Sequence, residues 1–349
     1  MPEWIAQNYV VITIVCAVTL LGAVTGALGV FTVLRKQALV GDALSHAALP
    51  GVVLAFMFTG SRDMHILLMG AALSAAIAMA LMTAIKRFSK IKNDGALALI
   101  LSSFFGIGQL MLKAVQNRGS SASAGLSSFI FGQAATVLQS DVYLIGAVSS
   151  AAIICLAVFW KELKLYIFDS GYFQSLGFSR RIAEGLLTVL TVIVVVISIR
   201  AVGVILMSAL LISPGVAARQ WSNKLSVNVI LSSAFGVICA SAGTLISASR
   251  TNLPTGPVIT VMLSIILILS IAFSPKKGVV ITALRFTKHK KYIKNMSFLA
   301  SMLHGAVAYN GTARQRFLIN AGYISLSNGM LSLTDSGKSA VNTVKEEGL

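Results

Sequence analysis

Long apolar runs occupy most of this 349-residue chain and decide which folds it can adopt. Nine of them are roughly 18 to 25 residues long, the length at which one helix crosses the hydrocarbon core of a bilayer. Only 11% of the residues are charged and the mean hydropathy is +0.85, values that exclude a soluble domain. The sequence therefore predicts an all-α polytopic membrane protein with eight or nine transmembrane helices. The runs lie at residues 9–33, 38–59, 65–85, 95–114, 141–160, 183–199, 202–219, 226–248 and 254–274.

The apolar pattern is irregular at two places. The run 126–138 is too short to span and contains Gln133, so we expect a short re-entrant or interfacial helix there. The runs 183–199 and 202–219 almost touch, so two spans at this place require a very tight hairpin at Ile199-Arg200-Ala201.

Basic residues are distributed unevenly among the loops. If the amino terminus lies outside, most Lys and Arg residues of the loops fall on the inner side, in agreement with the positive-inside rule. Nine spans then put the carboxyl terminus inside as well. We therefore expect a multi-pass protein of an inner or plasma membrane with a cytoplasmic tail.

Charge density rises near Ser274-Pro275. Residues 1–275 carry 17 Lys/Arg against 8 Asp/Glu, whereas residues 276–349 carry 11 against 3. In the tail, helical patterns are followed by alternating residues on both sides of Asn328-Gly329, a strong hairpin signal. We predict a transmembrane domain over 1–275, a basic linker over 276–294 and a small α+β winged-helix-like module over 295–349.

Asp42 and His46 lie inside an apolar run, where an ionisable side chain is costly and points to a functional site. At helical spacing i and i+4 they are neighbours on one face, and their oxygen and nitrogen atoms suit manganese, iron or zinc. The structural alternative is a hydrogen-bonded pair that fixes two helices. Pro50-Gly51 follows one turn later and is predicted to interrupt the helix, which would free backbone carbonyls.

Three residues near the far end of this span are candidate outer contacts for a metal ion. They are Met57, Met64 and His65. Such residues at span ends also serve in packing or at the membrane interface, and the sequence leaves both roles open.

The longest polar connection between spans runs from Lys161 to Glu184. Within it, Asp169 can cap a short helix that ends at Gly177, with Phe173 and Leu176 on one face. Such a helix fits either a docking element or an ordinary connection.

Five stretches together resemble the membrane permeases of the ABC importers for manganese, zinc and iron. The resemblance implies a homodimer, two cytoplasmic ATP-binding subunits, an extracytoplasmic metal-binding protein and transport by alternating access. The stretches are Gly41 to Gly51, Asn93 to Ala96, Asp169 to Gly177, Gly203 to Ala217 and Leu253 to Pro257.

The same resemblance implies roles for individual residues. Asp42 and His46 would contact the metal transiently, as substrate rather than as a permanently bound cofactor. The segment from Asp169 to Gly177 would couple to the ATPase, with Phe173 and Leu176 in a groove of that subunit. Arg180 and Arg181 would lie near its surface or near lipid phosphates.

Two other functions remain open from the residues alone. In a proton-coupled secondary transporter Asp42 and His46 would form a relay, but the sequence lacks a second Asp-x-x-x-His, as an inverted repeat would give. In a membrane-tethered regulator the tail would bind DNA through Arg314 and Arg316. Hydrolysis of ATP by the chain itself is not expected, because Ser332 stands where the phosphate-binding loop ending at Gly337 needs glycine.

Overall fold

The computed structural model describes residues 9–61, 63–117, 139–249, 253–275, 278–305, 307–327 and 329–346. The predicted re-entrant segment 126–138 lies outside these ranges. The membrane part contains helices α1 (Tyr9–Leu34), α2 (Val40–Thr59), α3 (Met64–Phe88), α4 (Asn93–Asn117), α5 (Gln139–Val158), α6 (Trp160–Phe168), α7 (Ser170–Ser175), α8 (Arg180–Trp221), α9 (Leu225–Ala248) and α10 (Thr255–Phe273).

The predicted spans are present as helices, with ends within three residues of the predicted ones. Within the described ranges, eight helical segments are long and apolar enough to cross a membrane. These are α1 to α5, the first part of α8, α9 and α10. The polytopic helical fold is therefore confirmed.

The 42-residue helix α8 is broken at Gly203, whose φ of 79° and ψ of 170° are not helical. Its first part is joined to the end of α1 by Arg35 and Glu184, whose side chains lie 3.2 Å apart. Leu211, in the second part, packs against Gly29 of α1. A straight helix would separate Glu184 from Leu211 by about 40 Å, whereas Gly29 and Arg35 are only about 9 Å apart along α1. The chain therefore reverses at Gly203, two residues after the predicted hairpin.

Small residues bring α1 and α9 close together. A Cβ atom added to Gly22 would lie 2.6 Å from the carbonyl oxygen of Gly236. One turn further along, Ser232 Oγ donates a hydrogen bond to the carbonyl of Gly26 at 2.6 Å. Lipid supplies no hydrophobic force between helices, so close contacts of this kind stabilise the bundle.

Helix α2 is held between α3 and α4. Gly51 faces the backbone of Gly70 in α3, and Ser74 Oγ donates to the carbonyl of Ala47 at 2.6 Å. On the other side, a Cβ at Gly108 of α4 would lie 3.0 Å from Pro50. These contacts fix the helix that carries Asp42 and His46.

The tail forms a compact unit of its own, which begins at residue 277. It contains α11 (Val279–Ser301), a 3₁₀ turn (Met302–His304), β1 (Val307–Ala308), α12 (Ala313–Asn320), β2 (Ile324–Ser327), β3 (Met330–Leu333) and α13 (Asp335–Glu346). The three strands are antiparallel in the order β1-β3-β2, and Ser327 pairs with Met330 across the predicted hairpin. Its turn residue Asn328 is outside the described ranges. Leu299, Leu318 and Leu331 form the centre of a small core in this unit of strands and helices.

Candidate metal pathway site

Helix α2 brings the two predicted ligands together. Because α2 begins at Val40, Asp42 lies in its first turn, where the helix dipole favours a carboxylate. His46 follows one turn later, and its Nε2 atom lies 3.4 Å from Asp42 Oδ1. The side chains of His46 and Asp42 are 22% and 32% exposed, so both can be reached from outside the single chain.

Phe105 of α4 packs against His46. The two rings meet edge to face, with centroids 4.7 Å apart. This contact limits rotation of the imidazole and so favours the orientation in which it faces Asp42. Sequence reasoning missed Phe105, because the sequence of an apolar span does not show which residue an aromatic side chain contacts.

The distance between the two ligand atoms suits a metal ion. Zinc is bound at about 2.0–2.1 Å by imidazole nitrogen and carboxylate oxygen, and a tetrahedral site with such bonds has ligand atoms about 3.3 Å apart. The observed 3.4 Å would therefore allow Asp42 and His46 to bind one ion with little movement. Within the described part of the chain, no group of three His, Cys, Asp or Glu side chains could complete the site. One copy of the chain thus offers two side-chain ligands.

The predicted interruption at Pro50-Gly51 is wrong, because α2 continues without a break to Thr59. Proline has no N–H, so the one carbonyl that loses its helical partner is that of His46, four residues earlier. The next carbonyl, that of Ala47, accepts a hydrogen bond from Ser74. Packing against α3 and α4 keeps the helix intact, and Gly51 serves the close approach to α3.

The candidate outer contacts lie away from Asp42 and His46. Met57 is 43% exposed and eleven residues beyond His46, about 16 Å along the helix. His65 is exposed in the first turn of α3, where its backbone N–H donates to Asp63 Oδ1 at 3.0 Å. The side chain of Met64 is outside the described part. The structure therefore does not join Met57 or His65 to the pair.

The capped helix predicted after Asp169 is present as α7. Asp169 Oδ1 accepts a hydrogen bond from the backbone N–H of Tyr172 at 2.9 Å, as an N-cap does. Gly177 has a φ of 86° just after the helix, a conformation that favours glycine. Both ends of the segment therefore agree with the prediction.

The predicted shared face of Phe173 and Leu176 is wrong. Phe173 is 3% exposed and packs on Tyr166 of α6 and on Phe178, with ring centroids 5.8 and 5.1 Å away. Leu176 lies one residue beyond the end of α7 and is 51% exposed. Tyr172, Leu176 and Phe178 are exposed in and just after this segment, whereas Phe173 belongs to the core.

An ion-pair cluster connects this segment to the spans. The Glu184 carboxylate of α8 lies 3.2 Å from the Arg35 guanidinium, after α1, and 3.6 Å from Lys86 Nζ of α3. The three side chains line a cavity of about 240 Å³ together with Arg180. Arg181 is exposed at the start of α8. Sequence reasoning missed this cluster, because Glu184 is far from both cations in the chain.

Known proteins with the same sequence pattern are membrane components of transport systems. The zinc transport system membrane protein TroC of Treponema pallidum is 46% identical over 273 residues, which cover 78% of this chain and 92% of TroC. The manganese transport system membrane protein MntC of Bacillus subtilis is 40% identical over 272 residues, 78% of this chain and 62% of MntC.

A solved structure shares the fold of the membrane part. It is PsaBC from Streptococcus pneumoniae in complex with a Fab, with a TM-score of 0.69 and 30% identity over 79% of this chain and 95% of that one. The sequence model of the ABC 3 transport family matches residues 7–274, the whole membrane part apart from its first residues. The chain therefore belongs to the ABC 3 transport family.

Proposed function

We propose that this chain is the permease subunit of an ABC importer that passes manganese, zinc or iron across the inner membrane by alternating access. The named relatives of zinc and manganese transport systems support a divalent metal as the substrate. A homodimer forms the pathway, separate cytoplasmic ATPase subunits drive it, and an extracytoplasmic metal-binding protein delivers the ion. No permanently bound cofactor is needed.

The observation that carries the proposal is the Asp42–His46 pair. Its two ligand atoms are 3.4 Å apart on one face of a membrane helix, and both side chains remain partly exposed. A site with only two protein side chains binds an ion weakly. Weak binding suits a pathway, because the ion must leave as readily as it enters.

A second copy of the chain is the natural source of further ligands. Exposed ionisable side chains at membrane depth are costly unless protein or water covers them. Two copies of α2 that face each other would place two Asp42 carboxylates and two His46 rings along one pathway. They would also remove these side chains from lipid.

The short helix α7 and the residues after it are proposed to receive the force of ATP hydrolysis. Tyr172, Leu176 and Phe178 would insert into the ATPase subunit, and Arg180 and Arg181 would lie beside its surface or lipid phosphates. The Glu184 cluster then transmits the movement to the ends of α1 and α3. Since α1 leads directly into α2, the movement reaches the metal site.

Uptake of radioactive metal by vesicles containing the full complex tests the proposal. Asp42→Asn and His46→Gln each keep the size of the side chain while removing a metal-binding atom, and should abolish uptake without loss of the ATPase subunit. Asp335→Asn and His304→Gln, both in the tail, are the matched controls and should transport normally. Wild-type uptake by both α2 variants would refute the site.

The same vesicles separate the competing functions and the three metals. An ATP requirement that persists when the proton gradient is collapsed supports the ABC mechanism, whereas uptake driven by the gradient alone would identify a secondary transporter. Competition among manganese, zinc and iron then ranks the substrates. Geometry alone does not choose among them, because all three accept carboxylate and imidazole ligands.

A further inference from the structure

The cavity beside Glu184 carries an excess of positive charge. The described residues that line it include three cations, those of Arg35, Lys86 and Arg180, and one carboxylate, that of Glu184. Three positive charges against one negative charge give this lining a formal net charge of +2. Like charges repel in a partly enclosed site, and an anion that enters the site relieves this repulsion. The volume of about 240 Å³ leaves room for an anion with bound water.

One oxygen atom of Glu184 serves two of these cations. Arg35 Nη2 donates a hydrogen bond to Glu184 Oε1 at 3.2 Å, and Lys86 Nζ lies 3.6 Å from the same oxygen. A guanidinium has five N–H donors in a planar fork and an ammonium has three, which is more than one oxygen can accept. The Arg35 side chain is only 9% exposed, so water reaches few of its donors. An anion in the cavity would supply further acceptors.

The turn after α1 contributes two buried side chains to the cavity. Lys36 has a φ of 56°, a left-handed conformation that glycine usually takes at the end of a helix. Its N–H group donates to the carbonyl of Val33 at 3.1 Å, and that of Gln37 donates to the carbonyl of Thr32 at 3.0 Å. Gln37, which is 5% exposed, lines the cavity together with Arg35. Unfavourable backbone conformations of this kind are concentrated at binding sites.

Two long helices begin at the cavity. Asn93 and Arg180 both line it, and they are the first residues of α4 and α8. The side chain of Ser179, the N-cap of α8, makes no capping hydrogen bond, so it does not occupy the first N–H groups of this helix. The positive ends of two helix dipoles thus add to the potential of the three cations.

We propose that this cavity binds a phosphate group, either as the free anion or as part of a lipid headgroup. The cations come from three directions, since Arg35 follows α1, Lys86 lies in the last turn of α3 and Arg180 begins α8. The tetrahedral oxygens of a phosphate group can meet donors from several directions, and free phosphate carries up to two negative charges. A carboxylate has two oxygens in one plane and neutralises only half of the excess. Bound phosphate joins the ends of three spans, a role additional to the proposed transmission of movement by the Glu184 cluster.

Equilibrium dialysis with radioactive orthophosphate tests the proposal on the full chain. The chain is purified in a phosphate-free sugar detergent, and washing continues until a phosphorus assay shows that bound lipid has been removed. At neutral pH and constant ionic strength, we expect saturable binding of one phosphate per chain, with little displacement by acetate. Absence of saturable binding, or equal displacement by acetate and by unlabelled phosphate, would overturn the proposal.

Substitutions with opposite effects locate the site. Arg180→Gln should weaken phosphate binding about tenfold, the loss expected for a hydrogen bond to a charged group. Glu184→Gln removes the competing negative charge and should strengthen phosphate binding several-fold. The matched control is Arg87→Gln, because this guanidinium lies 5.5 Å from the ring centroid of Phe88 and does not line the cavity.

A second cation variant, Lys86→Gln, replaces Arg180→Gln if that variant does not fold, and it should also weaken binding. Unchanged binding in the cation variants, or weaker binding in Glu184→Gln, would overturn the proposal. A merely structural role of Glu184 would not make binding stronger when its charge is removed.

A lipid arm distinguishes the two sources of phosphate. Displacement of orthophosphate by phosphatidylglycerol, but not by a phosphate-free anionic sulfolipid, identifies the lipid headgroup as the ligand, whereas binding unchanged by both lipids identifies the free anion. Equal displacement by both lipids would show a site for any anion and would overturn the proposal. The measurement needs neither metal nor ATP, so its failure is distinct from failure of the proposed transport function.

Discussion

The Glu184 cluster offers a perturbation whose size follows from the structure. Glu184→Gln keeps the shape of the side chain and removes the negative charge that faces Arg35 at 3.2 Å and Lys86 at 3.6 Å. The Arg35 side chain is 9% exposed, so water cannot replace the lost partner easily. Both cations would then lose the counter-charge that they share.

A hydrogen bond to a charged group contributes about 1.5–3 kcal/mol, and breaking a fully buried ion pair costs about 3–5 kcal/mol. The side chain of Glu184 is 33% exposed, so solvent screens part of the effect. We therefore expect Glu184→Gln to lower the stability of the membrane domain by about 2 kcal/mol. At about 2 °C per kcal/mol for a large domain, the apparent Tm should fall by about 4 °C.

Thermal unfolding of the purified permease–ATPase complex measures this shift, and the number of ions transported per ATP measures coupling. Glu184→Asp keeps the charge and should recover part of both values, whereas Lys338→Gln should change neither. A Tm equal to that of the unmodified complex, with unchanged coupling, would refute the role of the cluster.

Three further predictions follow from the packing. Phe173→Ala should lower the stability of the membrane domain by about 3–5 kcal/mol, because it removes a buried aromatic side chain. Leu176→Ser should leave the Tm unchanged and raise the ATP consumed per ion. An unchanged Tm for Phe173→Ala, with a lowered Tm for Leu176→Ser, would return Phe173 to the docking surface. Gly51→Ala should lower the Tm and the uptake, because its Cβ would meet the backbone of α3. Gly106→Ala, where a Cβ has open space, should have no effect. Equal Tm values for the two variants would contradict the close approach of α2 and α3. Thr312→Ala removes the N-cap of α12 and should speed the amide hydrogen exchange of that helix about fivefold, which corresponds to about 1 kcal/mol. Exchange in the membrane helices should not change. Unchanged exchange in α12 would show that the cap contributes little to its stability.

The spans could be predicted because their signal is local. Length and apolar composition alone decide whether a helix can cross a bilayer, and the structure ends α1 at Leu34 where the pattern predicted 33. The Asp42–His46 contact was predictable for the same reason, since i and i+4 positions meet on any helix. Neither inference needed knowledge of a distant residue.

Contacts between distant residues were not accessible in this way. Arg35 and Glu184 are 149 residues apart in the chain, and no pattern at either end indicates the other. Phe173 illustrates a related limit, because its neighbour Tyr166 decides that it faces inward while Leu176, just beyond the helix, faces out. Pro50 was overinterpreted, since the loss of one hydrogen bond does not end a helix that its neighbours hold.

The central claim is that the transported metal touches His46, and spin-echo envelope modulation of bound Mn²⁺ tests it most directly. The measurement uses the permease–ATPase complex without the delivery protein, so that its histidines do not contribute. We predict modulation from an imidazole nitrogen in the unmodified complex, retained in His304→Gln and lost in His46→Gln. Bound Mn²⁺ without nitrogen modulation in the unmodified complex, or modulation that persists in His46→Gln, would contradict the account.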